Sequence, residues 1–286
     1  MIGGRLLLPA TFLIFIHDMR QMKNKLVLAF FPFLAMYLIF LLLPILRVLT
    51  FSSFASLVSD SHSGILESIY YTYLIAFAVA VIAVVLALPY SFIMARYNSA
   101  PFRIADSLVE IPIMIPSTVV GIMVLITFAP QMPVGSLIMM FFPGYTFTDS
   151  LFAVIVTLLF VSSAYSIRIV GVSYRQEILR YEEEAMTLGV SDVKSFLLLS
   201  VPMLVKPMAR GIVLTWARAI SAVGSLLIVA YYIFPSFTQL AGVFIYSQFL
   251  GEGLSSAVAS SGILIITGIV AMALLRLLGG RDAAVY

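Results

Sequence analysis

Cysteine is absent from the 286-residue sequence. Disulfides and thiolate metal sites are thereby excluded, and cysteine usage carries no information on redox compartment. Histidine is nearly as scarce. His17 and His62 stand isolated from one another, which argues against a His-based metal site or proton relay. Charge is sparse as well: Asp, Glu, Lys and Arg make up 10% of the chain, against about 25% in a soluble domain. No G-x-x-x-x-G-K-[ST] or other phosphate loop occurs, so the chain has no means of binding ATP by itself. H-E-x-x-H, G-x-S-x-G and paired aspartates are also missing, which weighs against an intramembrane enzyme. Neither an internal repeat, a low-complexity tract nor a linker is visible.

What the chain does have is apolar surface. It is 62% hydrophobic with a mean hydropathy of +1.13, the composition of an integral membrane protein. The net charge of +3 and pI near 9.1 do not point to nucleic acid, because the basic residues lie in the gaps between apolar runs. Six segments are long enough to cross a hydrocarbon core of about 30 Å: Leu26–Leu46, Ile69–Ala95, Leu108–Phe128, Leu151–Val172, Gly211–Tyr232 and Ala257–Leu278.

Orientation follows from Lys and Arg. Arg20, Lys23 and Lys25 precede the first segment, and Arg96 and Arg103 lie between the second and third. Arg175, Arg180, Lys194, Lys206 and Arg210 lie between the fourth and fifth, and Arg281 follows the sixth. The other connections, 48–68, 129–149 and 233–256, carry Asp60, Glu67, Asp149 and Glu252 but no Lys or Arg. Positive charge stays inside, so the expectation is an all-α membrane protein of six transmembrane helices with both termini cytoplasmic. It forms one transmembrane domain over residues 22–286. Residues 1–21 are set apart, since Leu6–Ile16 is too short to span and Met22-Lys-Asn-Lys reads as a natural start. They are expected to be an upstream extension or a peripheral helix.

One long polar island interrupts the apolar pattern: Tyr181–Pro202, within the cytoplasmic loop 173–210. Glu182, Glu183 and Glu184 open a run of good helix formers, which Gly189 can end in a left-handed conformation. Ser191 or Asp192 can then cap a second helix that carries Phe196–Leu199 into Pro202. A loop that orders itself as helix, turn and helix reads as a docking surface.

Two spans carry unusual polar content. In the third, Pro112 and Pro116 each remove a backbone donor, and Ser117, Thr118 and Gly121 follow. Either a simple proline kink with small packing residues or an interruption lining a pathway fits. In the fifth, Thr215, Arg218, Ser221 (or Ala222) and Ser225 fall on one helical face. Arg218 lies inside the segment, where a charge is a functional candidate; snorkelling to the cytoplasm or pairing with Glu110 is the alternative. The connection 233–256 offers aromatic residues for a membrane surface or an external partner.

The polar island resembles the EAA loop of ABC-importer permeases. With Glu183 first, the matching residues are Glu183, Ala185, Thr187, Leu188, Gly189, Phe196 and Pro202, with 13 residues from Gly189 to Pro202. Glu184 stands where that family usually has Ala. The stretch IPSTVVG at 115–121 is similar to permeases for molybdate, tungstate and sulfate. So is ARAISAVGSLLIVAYY at 217–232, above all to the archaeal tungstate/molybdate type, although Ala222 replaces a usual Glu.

The resemblance implies a type I ABC importer permease fold in the cell membrane. It further implies that Glu183, Glu184, Ala185, Thr187, Leu188, Gly189, Phe196 and Pro202 couple to a separate ATPase subunit. Pro116, Ser117, Thr118, Gly121, Thr215, Arg218, Ser221, Gly224 and Ser225 would line the translocation pathway. The implied partners are a second permease copy, two ATP-binding cassette subunits that bind ATP and Mg, and an extracytoplasmic oxyanion-binding protein. The implied cargo is tungstate or molybdate, with sulfate or thiosulfate as the alternative. A gradient-driven transporter is the reading from another class; it usually places acids at mid-membrane, and no predicted span has one deep inside.

Overall fold

A chain in lipid must satisfy its backbone within each crossing segment, and helices do so. The computed structural model describes residues 25–51, 64–144, 146–233 and 236–278. Almost all of its regular structure is helical, with an isolated bridge between Ile233 and Thr238 as the β contact among the described residues. The expectations for residues 1–21 and for Arg281 lie outside the described residues.

The chain forms two units. The first contributes α1 (Lys25–Phe51), an apolar helix that contains Pro32 and Pro44. The second holds everything else. It begins with α2 (Leu66–Arg96), followed by α3 (Ala100–Met114), α4 (Ser117–Phe128), α5 (Pro133–Phe141) and α6 (Leu151–Ser173). After α6 come a π turn (Tyr174–Ile178), α7 (Leu179–Thr187), α8 (Asp192–Ser195) and another π turn (Phe196–Ser200). The remaining helices are α9 (Val201–Ile220), α10 (Val223–Val229), α11 (Ala241–Gly251) and α12 (Leu254–Leu278).

The centre of the second unit is α2 packed on α6 and α9. The inner face of α2 is a seam of Ala76, Ala80, Ala83 and Ala87, each fully buried. Small side chains at helical spacing let backbones approach closely, which is how helices associate where lipid removes the hydrophobic drive. Hydroxyls join the same seam: the Ser166 and Thr215 side chains hydrogen-bond between α6 and α9 at 2.5 Å. Trp216 Nε1 donates to the Tyr73 carbonyl of α2 at 3.1 Å. Tyr73 in turn shares a 3.1 Å hydrogen bond with Thr267 of α12.

Among the described residues, five helices are long and apolar enough to cross a membrane, and α3 with α4 forms a further pair bent by 116°. Here the structure departs from the expected single span Leu108–Phe128. Proline restricts the residue before it to extended backbone, and Ile115 accordingly sits at ψ 131° between Met114 and Pro116. Pro112, one turn earlier, stays inside α3. The fifth expected span, Gly211–Tyr232, is also broken. α9 ends at Ile220, Ala222 takes a non-helical ψ of 48°, and α10 resumes at Val223. Ser221 Oγ donates to the Arg218 carbonyl at 2.8 Å, supplying a partner where the helical ladder stops.

Candidate functional site

The polar island folds as a helical hairpin. α7 ends at Thr187, and two residues on Gly189 takes a φ of +84°, the left-handed conformation expected from the sequence. Gly189 N donates to the Met186 carbonyl (3.0 Å) and Val190 N to the Ala185 carbonyl (3.2 Å), which caps the end of α7. Ser191 then stands before α8 with extended backbone.

At the turn and along the arm that leaves it, apolar side chains are exposed: Leu188 84%, Val193 67% and, in the second π turn, Leu198 75%. Glu183, Glu184, Thr187 and Gly189 are exposed and Ala185 is half-buried. Glu184 is held on the surface by Arg180, one turn earlier, at 3.0 Å. Phe196 is half-buried, edge-on to Phe92 of α2 with ring centroids 5.1 Å apart. Pro202 is exposed near the start of α9, directly after the π turn that leads into it.

The residue that anchors this hairpin is Glu182, which sequence reasoning passed over in favour of Glu183. Glu182 is completely buried. Its Oε2 accepts from Arg96 at 2.6 Å, and its Oε1 accepts from the Tyr174 hydroxyl at 2.7 Å and from the Ser200 hydroxyl. Arg96 also donates to the Phe92 carbonyl at 3.1 Å, and its guanidinium lies 3.5 Å over the Phe92 ring. Beneath these groups lies a separate apolar core of Ala87, Val170, Tyr174, Ile178 and Leu204. The one signal in the sequence is spacing: Tyr174, Ile178 and Glu182 recur every four residues, which continues an inward face into the acidic run.

The two broken helices meet. A Cβ on Gly224 would stand 2.6 Å from Ser117 Oγ and 2.9 Å from Thr118 Cγ2. A Cβ on Gly121 would stand 2.8 Å from the Ser225 carbonyl. These glycines therefore let α4 and α10 touch along their backbones. Ser117, Thr118, Gly121, Gly224 and Ser225 are thus brought together just past the two breaks.

Pro116, Thr118 and Ser221 are exposed, Ser117, Arg218 and Gly224 are half-buried, and Gly121 and Ser225 are buried. The expected polar stripe is not one continuous face, because the break after Ile220 separates Thr215 and Arg218 from Ser225. Thr215 is buried against Ser166. Arg218 donates to Ser221 Oγ at 3.2 Å. Glu110, an alternative partner for Arg218, pairs with Arg168 instead. Next to that pair Arg175 meets Asp106 at 2.9 Å, and Tyr90 donates to the same carboxylate. These residues line a cavity of about 240 Å³. Among the described residues, no group of three or more His, Asp or Glu side chains is placed to hold a metal.

No family model matches the sequence. Curated relatives do. The chain is 33% identical over 220 residues to the molybdate/tungstate transport system permease protein WtpB of Thermococcus kodakarensis, covering 77% of this chain and 81% of the relative. To the protein of the same name from Pyrococcus abyssi it is 30% identical, covering 85% of this chain and 92% of that one. Among solved structures, a bacterial alginate ABC transporter crystallised with its alginate pentasaccharide-bound periplasmic protein superposes with a TM-score of 0.70. The match covers 91% of this chain and 93% of that one at 14% identity, a likeness of fold alone. The chain lacks a phosphate loop, consists of apolar helices and carries a helical hairpin between two of them; it belongs to the family of ABC transporter permeases that includes the molybdate/tungstate transport system permease proteins.

Proposed function

We propose that this chain is the membrane subunit through which an ATP-driven importer passes a tetrahedral oxyanion, molybdate or tungstate. The observation that carries the reading is the hairpin: an exposed apolar turn of Leu188, Val193, Leu197 and Leu198 on a buried, ion-paired base. An exposed apolar knob beside exposed charged residues suits a binding surface, and a permease without a phosphate loop needs a partner that hydrolyses ATP. In this reading Glu183, Glu184, Ala185, Thr187, Leu188, Gly189, Phe196 and Pro202 form the surface seen by that ATPase. Two ATP-binding cassette subunits, which themselves bind ATP and Mg, dock on that surface, and a second permease copy completes the passage. The distribution of Lys and Arg supports a cytoplasmic hairpin and cytoplasmic termini. Counting α3 with α4 as one crossing gives six spans.

The passage runs by the two breaks, past Pro116, Ser117, Thr118 and Gly121 on one side and Arg218, Ser221, Gly224 and Ser225 on the other, with Thr215 packed behind. Small hydroxyl and apolar groups suit a conduit, since tight binding of a dianion there would trap it. Selection accordingly belongs to an extracytoplasmic binding protein. The relatives' names support molybdate and tungstate over sulfate as cargo. Calorimetry of the cognate binding protein with the three anions tests the choice: tight molybdate and tungstate binding is expected. Tight sulfate binding without the other two would overturn it.

A further inference from the structure

Glu182 is the one fully buried carboxylate among the described residues. A buried carboxylate is costly unless its oxygens are all engaged. Here they are, and the partners come from three directions. Arg96 is the last residue of α2, Tyr174 lies on the arm entering the hairpin, and Ser200 lies on the arm leaving it. Tyr174 and Ser200 each sit in a π turn, the irregular helix geometry that places side chains at functional sites. Phe92 adds apolar contact to the same joint, edge-on to Tyr174 and to Phe196. Both arms are therefore fastened to one helix end by one carboxylate.

The other end of that helix also holds something. Thr72 accepts the Ala241 N–H at 2.7 Å, at the start of α11. Glu67 accepts the Thr238 hydroxyl at 3.4 Å, in the loop before it. α2 is one continuous helix of 31 residues with Pro89 inside it, about 46 Å long at 1.5 Å per residue. It thus connects the hairpin to the connection 236–253 across the width of a membrane.

We infer that the buried network of Arg96, Tyr174 and Ser200 on Glu182 is a rigid joint that makes α2 move with the docking hairpin, so that a displacement imposed on the hairpin reaches the connection 236–253. The inference rests on the docking role of the hairpin. Arg96 and Glu182 are positioning residues, acting through α2 and the hairpin that they join. An all-or-none network suits the task, since a carboxylate that loses one partner while buried is left uncompensated. The joint therefore stays closed while the hairpin moves.

The test is the ratio of anion imported to ATP hydrolysed, in proteoliposomes that hold the complete complex. Glu182→Gln keeps the shape and removes the charge; Arg96→Gln removes the other half. In both, the ATPase subunits should still co-purify, while import per ATP falls about tenfold, within the range of coupling factors between linked sites. Import and hydrolysis falling in proportion, with the ratio unchanged, would reduce the pair to a structural support and overturn the inference. An unaffected complex would overturn it too. If neither variant assembles, Tyr174→Phe removes one hydroxyl and keeps the ion pair; the same ratio is expected to fall, and an unchanged ratio is again fatal. Leu188→Asp separates the two readings. It should release the ATPase; if the ATPase stays bound, the docking role fails, whereas the ratio in Glu182→Gln judges the joint.

Discussion

Gly189 has a positive φ, and nothing lies within 4 Å of where its Cβ would stand. A larger residue there meets no neighbour, so its cost is the left-handed backbone, about 1–2 kcal/mol. Gly189→Val should therefore insert in the membrane normally and present a reoriented turn to the ATPase. Stimulation of ATP hydrolysis by the loaded binding protein is the readout, with an expected loss of about tenfold for each 1.4 kcal/mol transferred to the docking step. Normal stimulation would remove Gly189 from the docking surface. This residue was legible because glycine after a run of helix formers has one common use. Glu182 was not. Three consecutive glutamates look alike on paper, and the inward phase reaches them through a π turn, where counting by 3.6 residues no longer holds. Burial of a carboxylate also depends on Arg96, 86 positions away.

At the scale of elements, the third and fifth segments show how far local chemistry reaches. Pro112 and Pro116 were equal candidates in the sequence, yet only Pro116 marks the 116° bend. The difference is whether the preceding residue stays helical: Ile115 is extended, whereas the residues before Pro112 remain in α3. The break at Ser221–Ala222 has no proline to announce it. It depends on contacts between α4 and α10 that no single segment encodes, with Gly224 against Ser117 and Gly121 against Ser225. If the two breaks border a passage shared by two copies, a cysteine at either should reach its counterpart. Ser117→Cys and Ser221→Cys, in a chain with no native cysteine, are expected to give a cross-linked dimer on a non-reducing gel. Active protein that runs only as monomer would place the passage elsewhere.

For the whole molecule, composition was enough to anticipate a helical membrane protein, and the polar island between apolar runs a helical hairpin. Those signals survive because lipid imposes them on every span separately. The three-helix centre of α2, α6 and α9 was not legible in the same way, since alanine seams and buried hydroxyls are apolar-run residues until a partner helix faces them. Under the proposed function, ATP hydrolysed by a docked partner, and no ion gradient, moves an oxyanion through this chain. The direct measurement is uptake of radiolabelled molybdate by proteoliposomes that contain the permease, its ATPase and the binding protein. Uptake should require ATP on the hairpin side, persist when ion gradients are collapsed, and be suppressed by unlabelled tungstate. Uptake that continues without ATP and vanishes with the gradient would contradict the account.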